Sequence, residues 1–287
     1  MIVSVYVTYN PDINLLEKAI ESLVGQVDYA VVVDNSPQSI LVPSNEKVVI
    51  EVLGDNIGIA AAQNIGIHRA LELGAEYIVL SDQDTIYPRN YIVSMLPVFE
   101  KFPKACVVVP KFIDSMKKGS DGFIGVTPFF FQQFFPTSGQ FEIFQAIASG
   151  KVLKVSLLDE IGLMREDLFI DWVDLEWCWR AGTKGFSIIG NADVTIQHQL
   201  GDKSKDLGFR EVNLRSPIRH YYITRNAFYL ALYCKELDLG HRINLFFKSF
   251  RYIVGYPIFS KPHSKHLKAV LIGFWHGITK RLGRYDF

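Results

Sequence analysis

Tyr77-Ile78-Val79-Leu80-Ser81-Asp82-Gln83-Asp84 decides the fold: a short apolar run opens directly onto two carboxylates. A run of this length, rich in β-branched and aromatic residues, reads as a strand buried on both faces. The same signature recurs upstream in Val3–Thr8, Ala30–Asp34 and Val48–Leu53. Each run ends in a polar cluster, namely Thr8-Tyr9-Asn10-Pro11, Asp34-Asn35-Ser36-Pro37 and Gly54-Asp55-Asn56. Around the strands, Ile13–Val24, Ile59–Leu73 and Asn90–Phe99 read as helices. Alternation of this kind implies βαβ units and an α/β fold with a mainly parallel sheet flanked by helices. Ligands of such sheets bind outside the carboxyl ends of the strands, so the four clusters line one crevice.

Farther along, Cys106–Pro110, Lys151–Leu157 and Ser187–Ile196 read as strands, and Asp171–Arg180 as a short helix. The Phe-rich stretch from Phe123 to Phe144, with its Gly, Pro and Gln, predicts a mobile flap or binding loop. From Pro217 the pattern turns helical, over Ile218–Lys235, Arg242–Val254 and His266–Leu282. No internal repeat or low-complexity tract occurs.

The 287 residues suffice for one large α/β domain with an appendage, and 21 Phe, 13 Tyr and 4 Trp argue against disorder. Three dispersed cysteines without CxxC spacing support neither a disulfide framework nor a zinc knuckle and fit a reducing, cytoplasmic setting. The N-terminus has no basic segment before its apolar residues and does not read as a signal peptide. Ala269–Ile278, the longest late apolar run, is about half of what a bilayer span needs. Net charge is zero, but residues 241–287 hold nine Lys or Arg against one acid, Asp286, so the tail carries +8 and the rest −8. Aromatics interleave with these cations. The tail therefore suits an anionic membrane surface, a nucleic acid, or a solvated face on a helical cap.

An isolated Asp-x-Asp pair is more often a solvated turn or helix cap than a metal site. At the mouth of a strand, however, Asp82 and Asp84 offer the oxygen donors that Mg²⁺ or Mn²⁺ takes alongside a diphosphate. Asp34-Asn35-Ser36 reads equally as a ligand-binding cluster or as a turn that satisfies backbone donors. On a helix, Asp171 and Asp174 fall about 60° apart, whereas Glu176 lies about 200° from Asp174 and pairs with Arg180 at i+4.

Taken in order, Val7-Thr8-Tyr9-Asn10-Pro11, Val33-Asp34-Asn35-Ser36, Asn56-Ile57-Gly58 through Asn64-Ile65-Gly66, Leu80-Ser81-Asp82-Gln83-Asp84 and Phe169-Ile170-Asp171-Trp172-Val173-Asp174 through Arg180 resemble the inverting glycosyltransferases of family 2, and among them the bacterial rhamnosyltransferases. The resemblance runs from Val3 to about Asn226. It implies a GT-A (Rossmann-like) catalytic domain over residues 1–215, with nucleotide-sugar binding in about 1–110 and the acceptor side in about 111–215. Residues 216–287 then form a helical, basic C-terminal extension.

The resemblance also implies roles. Thr8, Tyr9, Asn10 and Asp34 surround the nucleobase and ribose, and Asn56 and Gly58 precede a helix that faces the diphosphate. Asp84 and His198 ligate Mg²⁺ or Mn²⁺ directly, with Asp82 acting through water or ribose. Lys203 adds charge over the diphosphate, and Arg225 contacts acceptor or diphosphate unless it is a helix-surface ion pair. Asp174 is the implied base; the family's usual Glu-Asp is here Val173-Asp174, a departure that keeps Asp171 as second candidate. The expected activity is metal-dependent transfer of L-rhamnose from dTDP-L-rhamnose to a growing cell-surface polysaccharide or lipid-diphosphate-linked glycan, by a cytoplasmic protein peripheral on the inner membrane face. Two other readings stand beside it. Nucleotidyl transfer onto a sugar phosphate is disfavoured because Thr8-Tyr9-Asn10-Pro11 is not a Gly-rich basic loop; a non-catalytic sugar- or membrane-binding protein is disfavoured by the intact acids.

Overall fold

A computed structural model describes all residues except 40–44, 115–119, 128–129, 199–203, 207–210, 214 and 287, and describes only the backbone of 114, 120–121, 198, 204–206 and 211–213. It divides into two compact units. The first comprises Met1–Val126, Gln132–Arg165 and Asp174–Leu200; the second comprises Thr127–Phe131, Glu166–Val173 and Gly201–Phe287.

Along the first unit run β1 (Ile2–Thr8), α1 (Ile13–Val24), β2 (Tyr29–Asp34), β3 (Val48–Val52), α2 (Ile59–Glu72), β4 (Tyr77–Asp82), β5 (Thr85–Ile86), α3 (Tyr91–Met95), α4 (Pro97–Lys101), β6 (Ala105–Asp114), β7 (Ser120–Asp121), β8 (Phe123–Val126), β9 (Phe131–Phe134), β10 (Gln140–Ile143), β11 (Lys151–Lys154), α5 (Leu158–Ile161), α6 (Val173–Thr183) and β12 (Ser187–His198). The main sheet has the order β10-β12-β6-β11-β4-β1-β2-β3. Strands β1, β2, β3 and β4 are parallel, as are β6 and β12. The central strands are apolar at nearly every position because both faces are covered. Tyr6, Val32 and Val79 pack with Leu16, Ile20 and Leu23 of α1 and with Tyr91 and Met95 of α3. On the other face α2 comes so close that a Cβ at Gly66 would meet Val5 Cγ1 at 2.3 Å.

The chain builds β1, β2 and β3 outward on one side and then returns to place β4 on the other side of β1. That reversal is a topological switch point, where a crevice opens beyond the strand ends.

Three details differ from the sequence-based expectation. The sheet is mixed, because β11 runs antiparallel between β4 and β6. The stretch Asn90–Phe99 is two helices, since Pro97 has no N–H to donate and instead starts α4 at its first turn. The Phe-rich stretch holds strands β8, β9 and β10 rather than an irregular flap; β8 pairs with β9 in a small sheet, and β10 pairs with β12 in the main sheet.

The second unit contains β13 (Ser204–Asp206) and β14 (Glu211–Asn213), which are antiparallel, followed by α7 (Pro217–Tyr233), α8 (Leu239–Phe259) and α9 (His263–Ile278). Helix α7 is its buried axis, from His220 to Ala231. Phe246, Phe250 and Phe274 surround the Phe228 ring at centroid distances of 5.5, 5.2 and 4.7 Å. Glycines let α9 lie directly on α7: a Cβ at Gly273 or Gly277 would come within 2.6 Å of Tyr221 O or 2.5 Å of Arg225 O. Glu166–Val173, expected in the catalytic domain, groups with these helices because Asn226 of α7 donates to the carbonyls of Leu168, Ile170 and Asp171.

Candidate active site

Register aligns the polar ends of three neighbouring strands. Thr8 of β1 stands opposite Asp34 of β2, and Val7 opposite Asp82 of β4. Thr8 and Asp34 are fully buried, and Thr8 Oγ1 donates to Asp34 Oδ1 at 3.3 Å. The same oxygen accepts from the Ser36 N–H at 3.1 Å, so Asp34 closes its own turn while lying at the sheet mouth. Tyr9 and Asn10 follow β1 into the crevice. Asn10 takes a left-handed φ of 44°, and its N–H donates to Ser36 Oγ at 2.9 Å. The Tyr9 N–H donates to Gln83 Oε1 at 2.8 Å, tying the β1 end to the acidic segment after β4. The Tyr9 ring is exposed.

Asn56 and Gly58 build the start of α2. Asn56 Oδ1 accepts from the Gly58 N–H at 3.1 Å and from Asn35 Nδ2 at 3.1 Å, while Asn35 Oδ1 accepts from the Ile57 N–H at 2.9 Å. Gly58 is the N-cap at φ 91°, a conformation that a side chain would strain. The two asparagines thus lock the β2 turn to the N-terminus of a 14-residue helix, whose dipole favours an anion.

Asp82 and Asp84 are half-buried where β4 ends. Asp82 Oδ2 accepts a short hydrogen bond from the Ser149 hydroxyl. Behind it, the buried Tyr87 hydroxyl donates to Ser81 Oγ at 2.8 Å; burial raises the Tyr87 pKa, which keeps this donor protonated. In β12, His198 pairs with Thr85, the residue after Asp84, so the topology brings an imidazole-bearing position beside the acids. The His198 side chain and all of Lys203 lie outside the described residues. Among the described residues no three His, Cys, Asp or Glu form a metal cluster. Two carboxylates with an imidazole in prospect are nevertheless donors that fit Mg²⁺ or Mn²⁺.

Asp174 lies in the first turn of α6 and is 23% exposed. The buried Lys151 Nζ donates to its backbone oxygen at 3.2 Å and sits 4.0 Å from Oδ1. Glu176 points away, paired with Arg180, whose guanidinium also donates to the carbonyls of Ile161 and Leu163.

The second unit treats its charged residues differently. Asp171 precedes α6 at φ 61°, flanked by Phe169 and Trp172 at 65° and 68°. The helical spacing expected between Asp171 and Asp174 therefore does not exist. The Asp171 carboxylate accepts from Arg215 at 2.9 Å and pairs with Arg219 at 3.3 Å. Arg225, expected at a ligand, is fully buried instead: it donates to the carbonyls of Leu168 at 2.8 Å, Asp167 at 3.2 Å and Gly283, and its guanidinium lies 4.8 Å from the Tyr222 ring. Those carbonyls belong to short segments outside the sheet and the long helices, and a planar five-donor group bridges several at once.

Ser149 and Lys151 carry no motif signal and only their contacts reveal them, while Ser36 and Gln83 stand inside the quoted motifs and gain a role only through their contacts. The Asn35-Ser36 pair after β2 was the nearest clue.

A parallel core with a switch point between β1 and β4, and acids directly beyond β4, is the architecture of the GT-A glycosyltransferases. Solved structures agree: GalNAc-T7 with UDP, GalNAc and Mn²⁺ aligns at TM-score 0.58 and 14% identity over 97% of this chain and 57% of that one. S. aureus TarS 1-349 in complex with UDP-GlcNAc aligns at 0.57 and 15% identity over 98% and 82%. Residues 4–162 match the family model Glycosyl transferase family 2. A Shigella flexneri protein, dTDP-rhamnosyl transferase RfbF, is 37% identical over 235 residues, covering 80% of this chain and 79% of its own. The chain belongs to glycosyltransferase family 2 and resembles that family's rhamnosyltransferases.

Proposed function

We propose that this glycosyltransferase moves L-rhamnose from dTDP-L-rhamnose, with inversion, onto a growing cell-surface polysaccharide or lipid-diphosphate-linked glycan. The observation carrying the donor is the 37% identity to a dTDP-rhamnosyl transferase across 80% of the chain. The aligned strand ends Thr8, Asp34 and Asp82 supply a place for it.

In this reading, Tyr9 stacks on the base, and Thr8, Asn10 and Asp34 take the base edge and ribose hydroxyls. Gly58 and Asn56 aim the α2 N-terminus at the diphosphate, and Lys203 adds a cation there. Asp84 and His198, with Asp82, would hold Mg²⁺ or Mn²⁺, and a metal there would supply positive charge for a departing nucleoside diphosphate. Asp174 takes the proton from the acceptor hydroxyl. Asp171 is the weaker choice, because its oxygens already accept from two guanidinium groups.

The C-terminal helices favour a membrane surface. No helix among the described residues is long and apolar enough to cross a bilayer. Yet α8 exposes Leu239, Ile243, Phe247, Phe250, Val254 and Ile258 along one stripe, and α9 exposes Leu267, Leu271 and Trp275. Phe250 and Phe274, 6.1 Å apart, connect the two stripes, and exposed Lys261, Lys265 and Lys268 adjoin them. Apolar residues flanked by cations suit the anionic inner face of a cell membrane, where a lipid-linked acceptor resides.

The donor is tested by measuring nucleotide release from dTDP-L-rhamnose and from UDP-sugars, with and without Mn²⁺ or Mg²⁺. Release of dTDP that depends on metal and acceptor is expected. Turnover only of a nucleoside triphosphate with a sugar 1-phosphate, releasing pyrophosphate, would replace this reading by nucleotidyl transfer, and binding without turnover by a non-catalytic role.

A further inference from the structure

Ser149-Gly150-Lys151, at the entry to β11, touches two of the acids invoked above. Ser149 and Lys151 are fully buried. A lysine is rarely so buried unless it is paired. Lys151 Nζ lies 3.2 Å from the Asp174 carbonyl oxygen, 4.0 Å from Asp174 Oδ1, 3.4 Å from Cys178 Sγ and 5.7 Å from the Trp177 ring centre. Burial raises the Cys178 pKa despite Lys151, so this neighbour is a neutral thiol and Asp174 is the anion that answers the ammonium. Two residues earlier, the Ser149 hydroxyl donates to the Asp82 carboxylate. Gly150, between them, is clamped. Its N–H donates to Leu80 O at 2.8 Å, its carbonyl accepts from the Tyr91 hydroxyl, and at φ 72° an added Cβ would meet Ile196 Cδ1 at 2.9 Å.

Stability alone does not account for this lysine. Withdrawing an ammonium from water costs several kcal/mol, and a cation beside the first turn of α6 opposes the helix dipole. An apolar side chain of the same length would serve packing better. We infer that Lys151 is a positioning residue for sugar transfer: it holds Asp174 through a hydrogen bond to its backbone carbonyl and a charge contact with its carboxylate, while Ser149 orients Asp82. One rigid tripeptide thereby sets the proton acceptor and the donor-side acid in register. This rests on Asp174 being the base.

The full-length protein is assayed as wild type, Lys151→Met, Lys151→Arg, Asp174→Asn and the Lys151→Met/Asp174→Asn double variant. Lys151→Met is expected to lower kcat about 100-fold, the scale of a small misplacement of a reacting group, with the KM for dTDP-L-rhamnose within about twofold. Its melting temperature should fall somewhat, because Asp174 loses its partner, so the KM split and the Lys151→Arg recovery separate positioning from a structural loss. Lys151→Arg should recover part of kcat, and the double variant should be no slower than Asp174→Asn. Wild-type kcat in Lys151→Met overturns the proposal, as does a loss of kcat that tracks a fall in melting temperature and is not relieved in Lys151→Arg. If Lys151→Met does not fold, Lys151→Gln is read by the same kcat and KM split. Near-normal kcat in Asp174→Asn overturns the base assignment instead, which separates the two failures.

Discussion

The two units use polar residues in opposite ways. In the first, Thr8, Asp34, Asp82 and Asp84 gather where parallel strands end, around backbone that opens to a crevice. In the second, polar groups share the interior with an aromatic core while some apolar ones face out: Arg225, His220 and His266 are buried along with Phe228, whereas Phe247, Val254 and Trp275 are exposed. His220 Nδ1 lies 2.8 Å from His266 Nδ1, and burial with the neighbouring imidazole pushes the His220 pKa down to about 3, so both rings pack as neutral groups. Charged side chains thus edge a crevice in one setting and brace the interior in the other. What separates them is whether regular hydrogen bonding already satisfies the surrounding backbone.

Asp174→Asn carries the largest expected effect on that contrast, a fall in kcat of about 10³-fold with little change in melting temperature. Steady-state kinetics beside a thermal scan reads both; an active Asp174→Asn protein would erase the distinction between the units. Next comes Arg225→Met, which removes the guanidinium from the Gly283 carbonyl and one of the donors to those of Asp167 and Leu168, and should destabilise by about 2 kcal/mol. Denaturant unfolding measures this, and an unaltered midpoint would mean that Arg225 braces nothing. Changing Phe247 and Trp275 together to Glu should weaken flotation with anionic vesicles by about tenfold or more while leaving kcat on a soluble acceptor intact. Binding that survives the change would detach the apolar stripes from any membrane role. The smallest effect is that of Asp171→Asn, which should cost about 1 kcal/mol of stability and change kcat no more than about threefold. A collapse of kcat there would move the base to the second unit.

Much of the first unit was legible because its signals are local. Helix α1 begins and ends as its apolar spacing implies, with Asp12 capping it by accepting from the Leu15 N–H at 3.2 Å. Strands β1, β2 and β4 announced themselves because burial on both faces demands unbroken apolar runs, and the half-buried edge strand β3 did so by its β-branched residues. The acids were readable for the same reason: a carboxylate directly after such a run has to sit at the sheet edge. The antiparallel course of β11 was not readable, since four residues of Lys-Val-Leu-Lys pattern carry no direction. Nor was the left-handed backbone at Phe169, Asp171 and Trp172, because nothing in those side chains calls for positive φ; helical geometry applied to Asp171 assumed a helix that starts later.

By itself, the sequence determined an alternating α/β chain, a switch-point crevice edged by Asp34, Asp82 and Asp84, and a basic, aromatic tail. These follow from periodicity and from the cost of burying charge, both of which are written along the chain. Only the tertiary structure decided that Asp174 faces a buried lysine and Asp171 two arginines, that Arg225 holds carbonyls and that Ser149 holds Asp82. Those outcomes depend on which groups 23 to 67 positions apart meet. Such meetings are set by strand register and helix packing, and no local pattern of residues encodes them.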